Sequence, residues 1–373
     1  MYIPYYPLLS PFVWFSREQQ KPDSRFPFDA PNVRYFDFAR QGIYFVGRRL
    51  KDCCRSHILF PTYHCGTELN ALKAAGVDLT FYNVRRSGDI DFSDIEAKIS
   101  PQIDGLYFIH YNGFPQNIHR ILKLKQEYGL LLLEDAAVSL FSQAKEAPLG
   151  SVGDVSFFSL YKTLAVPTGG MVVTKDPELL PETPMGAGRS LRRYLKLVRM
   201  HADWAAMKAS KPGALLLRLR GVIHDRNTDT RAALTTHIDS DMEFPASFQR
   251  LVRKNHFGKL IEKRRSNFKT LLDHLVKRNL APHLMYSDLP AEVVPSFFPI
   301  MVDERARVRK LLQARGIESM PYWDHRSPNV PYSAEVIHLK ENVLGLPIHQ
   351  GLDAIHMTYL ADMLERALQE ADN

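Results

Sequence analysis

The sequence has little of what marks several large classes of protein. Its 373 residues contain three cysteines, two of them adjacent, and no long uninterrupted apolar run. The cysteine pattern, Cys53, Cys54 and Cys65, provides neither a disulfide framework nor a recognised zinc spacing, so we expect small core thiols and no metal. The missing apolar run excludes a membrane-spanning helix. Because the first residues lack a basic region and a cleavage site, we expect no signal peptide and a cytoplasmic location.

What the sequence does contain is typical of a soluble globular enzyme. Hydrophobic residues make up 45% and charged residues 24%, and the length suits two domains or one large domain with an appendage. Lys and Arg outnumber Asp and Glu by 48 to 41, which gives a net charge of +7. This charge suits nucleic acid, acidic lipid or phosphorylated ligands. No aromatic-basic RNA motif and no helix-turn-helix pattern accompanies it, so we expect no nucleic-acid partner.

Short apolar segments alternate with helical stretches from residue 34 to about residue 175. Such apolar strands between helices predict an α/β fold with a mostly parallel central sheet covered on both faces. The predicted strands are His57–Pro61, Leu79–Tyr82, Gly105–His110, Leu130–Leu133, Val155–Ser159 and Met171–Thr174. The predicted helices are Glu68–Ala75, Phe92–Ile99 and Ile118–Tyr128.

The composition changes along the chain and predicts three regions. Residues 1–33 are rich in proline and aromatics and predict an extended arm that lies on the fold or on a partner subunit. Residues 34–246 form the large domain. Residues 247–373 supply one long helix, to about Arg278, and a small C-terminal α+β domain.

A basic helical insert, residues 183–225, interrupts the large domain. Pro212-Gly213 divides its basic stretch into two helical halves. The pattern fits surface or interface helices, a peripheral contact with an acidic membrane, or a lip over an anionic substrate.

Ionisable residues follow several predicted strands, at the sheet edge where ligands of parallel sheets bind. His110 ends one strand, and Glu134-Asp135 follows the next. A buried carboxylate needs a cation or an N–H donor, so Asp135 requires a partner. A ring N–H of a ligand and a structural arginine would both serve.

A lysine directly after a buried strand carries a second signal. Lys162 is followed by the pair Gly169-Gly170, which lets backbone segments approach closely. Partial burial and neighbouring positive charge would lower the pKa of Lys162 and make its amine a Schiff-base nucleophile. Ser159 is placed to hydrogen-bond an anion. An isolated lysine is usually a surface residue, and only the combination with Asp135 favours chemistry.

A third segment, Phe38-Ala39-Arg40-Gln41-Gly42-Ile43, opens a helical pattern that runs to Leu50. A helix N-terminus with a small residue and an arginine is an anion site. The segment has no Gly-x-Gly repetition and is equally consistent with an ordinary helix start.

Taken in order, these motifs resemble the DegT-type nucleotide-sugar aminotransferases, which are fold-type-I enzymes that use pyridoxal 5'-phosphate (PLP). The resemblance covers about residues 34–370. Its motifs are Pro61-Thr-Tyr-His-Cys65, Leu72-Lys-Ala-Ala-Gly76, Ile109-His-Tyr-Asn-Gly113, Glu134-Asp-Ala-Ala137, Gly153-Asp154, Phe158-Ser159, Lys162, Gly169-Gly170, Ile261-Glu-Lys-Arg-Arg-Ser-Asn267 and Leu346-Pro-Ile-His-Gln350. Each motif is modest alone, and their common order is specific.

The resemblance implies roles for the site residues. Lys162 would be the catalytic lysine that binds PLP covalently, and Asp135 would pair with the pyridinium N–H. The implied phosphate-binding residues are Ser159, Arg40, Gln41 and Gly42. The residues implied beside the cofactor ring are His64, Cys65 and His110. Candidates for the substrate are Arg264, Arg265 and His349, with Arg192, Arg193 and Arg199 as further basic residues for a diphosphate.

The chain departs from the family pattern near the cofactor. Cys65 stands where the family usually has an aromatic residue stacked on the ring, and Val138 stands where it usually has Gln or His. The spacing from Ser159 to Lys162 is short, and Arg40-Gln41-Gly42 replaces the common Ser-Gly-Thr. The chain is therefore expected to be a divergent member.

The function implied by the resemblance is transfer of an amino group, from glutamate, to a nucleotide-linked ketosugar for polysaccharide or antibiotic sugar synthesis. A homodimer with active sites between the subunits is implied as well. Two alternatives remain: another PLP-dependent reaction of the lyase type, or a catalytically inactive regulator or scaffold. A related dehydratase is disfavoured because that branch replaces the lysine with His, and this chain has Lys162.

Overall fold

The computed structural model of the protein describes residues 1–15, 25–145, 147–180, 191–208 and 244–372. The strands within these ranges are Val33–Phe36 (β1), His57–Pro61 (β2), Asp78–Tyr82 (β3), Gly105–Ile109 (β4), Leu131–Asp135 (β5), Gln143–Ala144 (β6), Ala147–Pro148 (β7), Val155–Ser159 (β8), Gly170–Thr174 (β9), Phe298–Met301 (β10), Met320–Pro321 (β11) and Val343–Leu346 (β12).

The α-helices within the same ranges are Ala39–Asp52 (α1), Thr67–Ala74 (α2), Phe92–Lys98 (α3), Ile118–Tyr128 (α4), Leu191–Lys208 (α5), Ala246–Arg253 (α6), Phe257–Lys277 (α7), Arg305–Ala314 (α8), Ala334–Asn342 (α9) and Ala354–Asp372 (α10). Polar side chains mark several helix starts. Asp91 accepts the N–H of Ser93 before α3, and Asn117 accepts the N–H of Arg120 before α4.

A seven-stranded sheet forms the centre of the protein, in the order β1-β9-β8-β5-β4-β2-β3. The neighbours from β3 to β8 run parallel, while β9 and β1 are antiparallel to their neighbours. Strands β4, β5, β8 and β9 are buried along their whole length, as continuous apolar strands inside a covered sheet require. The predicted α/β architecture with a mostly parallel sheet is confirmed.

A second, antiparallel sheet lies in the C-terminal part, in the order β10-β12-β11. It shares an apolar core with α7, α8 and α10. Ile3 of the N-terminal segment belongs to the same core, and the carboxylate of Glu318 accepts hydrogen bonds from the Tyr5 N–H and the Tyr2 hydroxyl. Residues 1–15 thus pack on the protein's own fold. The domain boundaries at residues 33 and 246 remain predictions.

The single long helix expected from residue 247 to 278 is wrong, because two helices, α6 and α7, occupy this range. The side-chain amide of Asn255 donates to the carbonyl of Leu251 at 2.8 Å, which takes an acceptor that the next helical turn would use. His256 then has a non-helical ψ of 90°, and α7 begins after it at Phe257. The feature that separates α6 from α7 is therefore a local side-chain hydrogen bond inside an otherwise helical sequence pattern.

Cys53 and Cys54 are exposed at the end of α1, so they are free surface thiols and not core residues. The first half of the basic insert forms α5, and the second half, after Pro212-Gly213, lies outside the described residues. None of the helices in the described ranges combines the length and apolar character that crossing a bilayer requires.

Candidate active site

A pocket lies at the carboxyl ends of β5 and β8, where the sheet meets the N-terminus of α1. Parallel sheets bind ligands at this edge. The lining residues are Phe38, Ala39, Arg40, Ile43, Cys65, Thr67, Glu68, Asp135, Ala137, Val138, Ser159, Tyr161, Lys162 and Trp323. Five predicted site residues meet here: Lys162, Asp135, Ser159, Arg40 and Cys65.

Asp135 ends β5 as a buried carboxylate with two hydrogen bonds. Its Oδ2 accepts from the Tyr107 hydroxyl at 2.7 Å, and its Oδ1 accepts from the Ala137 N–H at 2.8 Å. Within the described residues it forms no ion pair. Burial, with repulsion from Glu68, raises the pKa of Asp135 to about 6. The carboxylate therefore has unused acceptor capacity and an unmet need for a cation.

Lys162 closes the turn that follows β8 and lines the same pocket. In the described part of the chain its ammonium has no hydrogen-bond or ion-pair partner, and it does not pair with Asp135. Burial alone would lower the pKa of Lys162, but attraction to Tyr161, Cys65 and Asp135 raises it above the ordinary value. The predicted lowering is therefore wrong for the ligand-free pocket, because the charges around the lysine are negative.

A second carboxylate, Glu68, reaches the pocket from the first turn of α2. Its Oε1 accepts the N–H of Cys65 at 2.8 Å, and its Oε2 accepts the thiol of Cys65 at 2.6 Å. The Thr67 hydroxyl donates to the same Oε2 at 3.3 Å. Burial and the neighbouring Glu68 raise the pKa of the Cys65 thiol to about 12, so it remains protonated.

A further group of lining residues is suited to an anion. Helix α1 begins at Ala39, and Ala39, Arg40 and Ser159 line the pocket together. A side chain at Gly170 would meet the backbone nitrogen of Ala39 at 2.2 Å, so this glycine lets β9 pass directly beneath the helix start. Free N–H groups at a helix start, a guanidinium and a hydroxyl form an electropositive cradle.

The two residues after Arg40 have structural positions. The Gln41 side chain accepts the N–H of Phe38 at 2.9 Å and so caps α1. A Cβ at Gly42 would meet Val172 at 2.4 Å, so Gly42 lets α1 pack against β9. Neither residue lines the pocket.

His110 lies behind the pocket in a polar cluster with Glu134. Its Nδ1 accepts the N–H of Gln116 at 3.1 Å, which leaves Nε2 to donate to Glu134 at 2.9 Å. The Glu134 carboxylate also accepts the backbone N–H groups of Gly150, Val152 and Gly153. Both side chains are fully buried, and their hydrogen bonds are internal to the protein.

His64 is also buried and does not line the pocket. Its ring packs against Phe60 at 5.5 Å and Tyr332 at 6.2 Å, and neither ring nitrogen has a hydrogen-bond partner within the described ranges. Burial, reinforced by Lys340, lowers the pKa of His64 well below its usual value. This side chain is a neutral part of the core.

The predicted substrate arginines on α7 lie outside the pocket. The fully buried Arg264 donates to the carbonyls of Ser296 at 2.8 Å and Thr163 at 2.9 Å, and burial lowers its pKa to about 9. Arg265 donates to the carbonyl of Pro290 at 2.7 Å. Arg264 thus braces the segment behind Lys162 against the C-terminal sheet.

The other substrate candidates are likewise engaged elsewhere. The buried His349 ring contacts the Pro4 carbonyl through Nε2 at 3.1 Å, and burial lowers its pKa to about 3. Arg193 forms a buried ion pair with Asp37 at 3.1 Å. Arg199 lies 3.7 Å from Asp203 on the surface of α5.

Sequence reasoning missed four pocket residues: Thr67, Glu68, Tyr161 and Trp323. Glu68 could have been found, since an acidic residue in the first turn after Cys65 is a helix-start signal. Trp323 could not, because it comes from the loop after β11, more than 150 residues beyond Lys162. In the ranges that the structure describes, no group of three His, Cys, Asp or Glu side chains is arranged for a metal.

The pocket fits PLP in charge and in chemistry. Among the described residues, the buried carboxylate of Asp135 has no cation and the buried ammonium of Lys162 has no anion, and the two side chains line one pocket without pairing. A ligand with a protonated ring nitrogen and a carbonyl group would satisfy both. The helix start with Arg40 and Ser159 matches the phosphate.

Comparison with known proteins agrees with this geometry. Residues 55–191 match the model of the DegT/DnrJ/EryC1/StrS aminotransferase family. A UDP-N-acetyl-3-dehydro-alpha-D-glucosamine 3-aminotransferase from Acidithiobacillus ferrooxidans is 26% identical over 325 residues, 83% of this chain and 77% of the relative. A GDP-perosamine synthase from Escherichia coli O157:H7 is 32% identical over 125 residues, 33% of this chain and 34% of the relative.

Solved structures show the same fold. PseC of Helicobacter pylori, an aminotransferase involved in the biosynthesis of pseudoaminic acid, superposes with a TM-score of 0.69 at 16% identity, over 99% of this chain and 100% of that one. DesI, crystallised with its TDP-sugar product, gives a TM-score of 0.66 at 19% identity, over 92% and 82% of the two chains.

Fold and pocket thus define a fold-type-I PLP-dependent aminotransferase. The match to the DegT/DnrJ/EryC1/StrS aminotransferase family model over residues 55–191 agrees with the resemblance that the order of the motifs indicates.

Proposed function

We propose that this protein transfers an amino group, from glutamate, to a nucleotide-linked ketosugar, with Lys162 as the catalytic residue. The observation that carries the proposal is that Asp135 and Lys162 line one pocket, are both buried and do not pair with each other. The named activities of the relatives support it, since they act on UDP- and GDP-linked sugars. Polysaccharide or antibiotic sugar synthesis is the corresponding context.

The residues of this chain would hold PLP at its two polar ends. Asp135 accepts a ring N–H with the lone pairs that Tyr107 and Ala137 leave unused. The N-terminus of α1, with Arg40 and Ser159, binds the phosphate. When bound, PLP supplies an electron sink that stabilises negative charge at the substrate carbon next to nitrogen.

Lys162 has two tasks in this proposal. Its Nζ would hold PLP covalently. Once the amino donor has displaced it, the free amine would take a proton from the donor's Cα and return it two bonds away, on the other side of the donor nitrogen. In the ligand-free pocket, attraction to Tyr161, Cys65, Asp135 and Glu68 raises the pKa of Lys162, which favours uptake of a proton by its amine.

Asp135 contributes charge and does not transfer protons. Its carboxylate is desolvated, so its attraction to a cationic ring is stronger than in water. Tyr107 and the Ala137 N–H fix its orientation, which removes a reorganisation cost during the reaction. Val138 and Cys65 add bulk but no charge to the pocket wall.

The nucleotide-sugar site and the assembly are part of the same proposal. We place the sugar beside Thr67, which also lines the pocket. A cytoplasmic homodimer suits the fold class, and the sequence resemblance alone supports it. The basic helix α5 lies beside Asp37, next to the predicted phosphate end.

The experiment adds PLP and then glutamate to the purified full-length protein. A yellow protein whose visible band glutamate converts to the pyridoxamine form, with one 2-oxoglutarate released per site, is the expected result. Nucleotide ketosugars are then screened for return of the yellow form. A colourless protein would support the inactive alternative. A yellow protein that retains its band with every amino donor would support the lyase alternative.

A further inference from the structure

We propose that Trp323 supplies the aromatic surface against the PLP ring, and that Lys340 is the positioning residue that holds Trp323 there. The inference rests on the proposed function, because it assigns a role to residues of the same pocket. The resemblance leads us to expect an aromatic side chain against the cofactor ring at position 65, and this chain has Cys65 there. The aromatic residue comes instead from the C-terminal part of the chain.

Three aromatic side chains line the pocket: Phe38, Tyr161 and Trp323. Cys65, Ala137, Val138 and Ile43, which also line it, are short aliphatic or thiol side chains. Phe38 is covered by the guanidinium of Arg40, 4.3 Å from its ring centre, and Tyr161 by the ammonium of Lys196, 5.1 Å from its ring centre. Trp323 is therefore the ring that we assign to the cofactor.

Trp323 lines the pocket and is anchored from behind by three tyrosines. Its ring centre lies 5.3 Å from Tyr63, 5.5 Å from Tyr111 and 4.5 Å from Tyr322, with which it is nearly parallel. The Tyr63 hydroxyl donates to the Tyr322 carbonyl at 2.6 Å. The indole is therefore half-buried: the tyrosines hold one side of it, and another side faces the pocket.

Lys340 connects the two chain segments that bracket this wall. It is 1% exposed, and its ammonium donates to the carbonyls of His64 at 2.9 Å, His325 at 2.9 Å and Trp323 at 3.3 Å. An ammonium has three protons, so all three are used. One acceptor precedes Cys65 and another belongs to Trp323. Lys340 thus fixes the distance between the Cys65 wall and the Trp323 wall.

An indole is well suited to the role. A protonated, electron-poor ring attracts the electron-rich face of tryptophan, and aromatic pairs gain free energy beyond the area that they bury. The arrangement also makes ring binding depend on the contact between the C-terminal part and the large sheet. An aromatic side chain at residue 65 would not make ring binding depend on that contact.

The first experiment measures affinity for pyridoxamine 5'-phosphate, which carries the same ring and phosphate but does not react with Lys162. We expect Trp323→Leu to weaken binding about tenfold. Trp323→Phe keeps a ring and should lose less than about threefold. Trp204→Leu, on α5 beside Phe12, is the matched control and should bind like the wild type.

Fluorescence gives a second readout that does not depend on activity. The chain has three tryptophans, Trp14, Trp204 and Trp323. In the variant Trp14→Phe/Trp204→Phe only Trp323 emits, and we expect the ligand to quench nearly all of its emission. The variant Trp14→Phe/Trp323→Phe retains Trp204 and should be quenched much less.

Lys340 is tested by a double-mutant cycle. Lys340→Met should weaken ligand binding, and combining it with Trp323→Leu should cost no more than the larger single change, because both act on one contact. Lys340→Arg restores a cation with several donors and should recover part of the affinity. Additive losses would contradict the positioning role and indicate a general loss of stability.

Two results would overturn the inference. If Trp323→Leu binds pyridoxamine 5'-phosphate as tightly as the wild type while the wild type binds it well, Trp323 is not a ring contact. The proposed function would survive that result. If the wild type binds neither PLP nor its amine form, the proposed function fails and the inference fails with it.

Discussion

Two neighbouring carboxylates on β5, Glu134 and Asp135, have opposite surroundings. Successive side chains of a strand point to opposite faces, so one carboxylate lies in the core and the other in the pocket. Glu134 accepts hydrogen bonds from His110 and from three backbone N–H groups. Asp135 accepts two hydrogen bonds and has a pKa raised to about 6 by burial and by Glu68.

The difference separates structural from functional buried charge. Around Glu134, the folded chain itself supplies the compensating donors, so the charge stabilises the loop 150–153. Around Asp135, the chain leaves part of the compensation to a ligand. The same distinction applies to the buried cations: Arg264 and Lys340 donate to carbonyls, whereas Lys162 has no such acceptor among the described residues.

The largest effect is expected for Asp135→Asn. Loss of the charge that pairs with the ring N–H should reduce amino transfer by about a thousandfold. The ligand-free variant should unfold at a higher temperature, because it no longer carries a desolvated carboxylate at pH 7. Steady-state kinetics and thermal unfolding measure the two effects. A variant with more than a tenth of the wild-type activity would contradict this role.

Glu134→Gln should have the reverse pattern. Three N–H donors and His110 lose their charged acceptor, so the free energy of unfolding should fall by about 3 kcal/mol. Activity per folded molecule should change less than threefold. Denaturant unfolding with kinetics at a permissive temperature provides the measurement. A loss of activity without a loss of stability would show that the two carboxylates do not have separate tasks.

Capture of PLP by the ligand-free protein should depend on pH around Asp135. The pKa of this group is raised to about 6, so the carboxylate gains a proton and loses its charge as the pH falls through 6. PLP affinity should therefore decline below about pH 6, and the Asp135→Asn variant should not show this decline. The effect on folding stability has the opposite sign. Protonation removes the buried charge of Asp135, so acidification does not lower the stability of the ligand-free protein through this group.

Glu68→Gln should shift the pH at which PLP affinity declines. Removing the second carboxylate removes the repulsion that raises the pKa of Asp135, so the midpoint of PLP capture should move to lower pH by less than about one unit. Glu96→Gln, an exposed carboxylate paired with Arg120, is the matched control. An unchanged midpoint would mean that burial alone sets the pKa of Asp135.

Cys65→Ser should have the smallest effect. The serine hydroxyl can still donate to Glu68, and the protonated thiol has no nucleophilic task in this account. PLP affinity and turnover should change by less than about threefold. Cys53→Ser, at the exposed end of α1, should change neither. A large loss at residue 65 alone would point to chemistry at the thiol.

Local sequence patterns predicted the large sheet well. Apolar runs predicted β2 and β8 with the bounds that the structure shows. The ends of the predicted strands placed Asp135, Ser159 and Lys162 at one edge of the sheet. These features depend on residues close together in the chain. The break at Asn255 was missed because a single side-chain hydrogen bond decides it.

The walls of the pocket were harder to predict, since they depend on distant contacts. Nothing near His110 or His349 in the sequence shows that their rings are engaged by Glu134 and by Pro4. Trp323 comes to the pocket only through the packing of the C-terminal part on the large sheet. Roles that follow from strand ends could be predicted, and roles that follow from tertiary packing could not.

The most direct test of the central claim is to locate the covalent attachment of PLP. The full-length protein is loaded with PLP, reduced with borohydride and digested, and the modified peptide is identified by mass spectrometry. The account predicts one reduced pyridoxyl group per chain, on Lys162, and none in Lys162→Ala. Attachment at another lysine, or no attachment in the wild type, would contradict it.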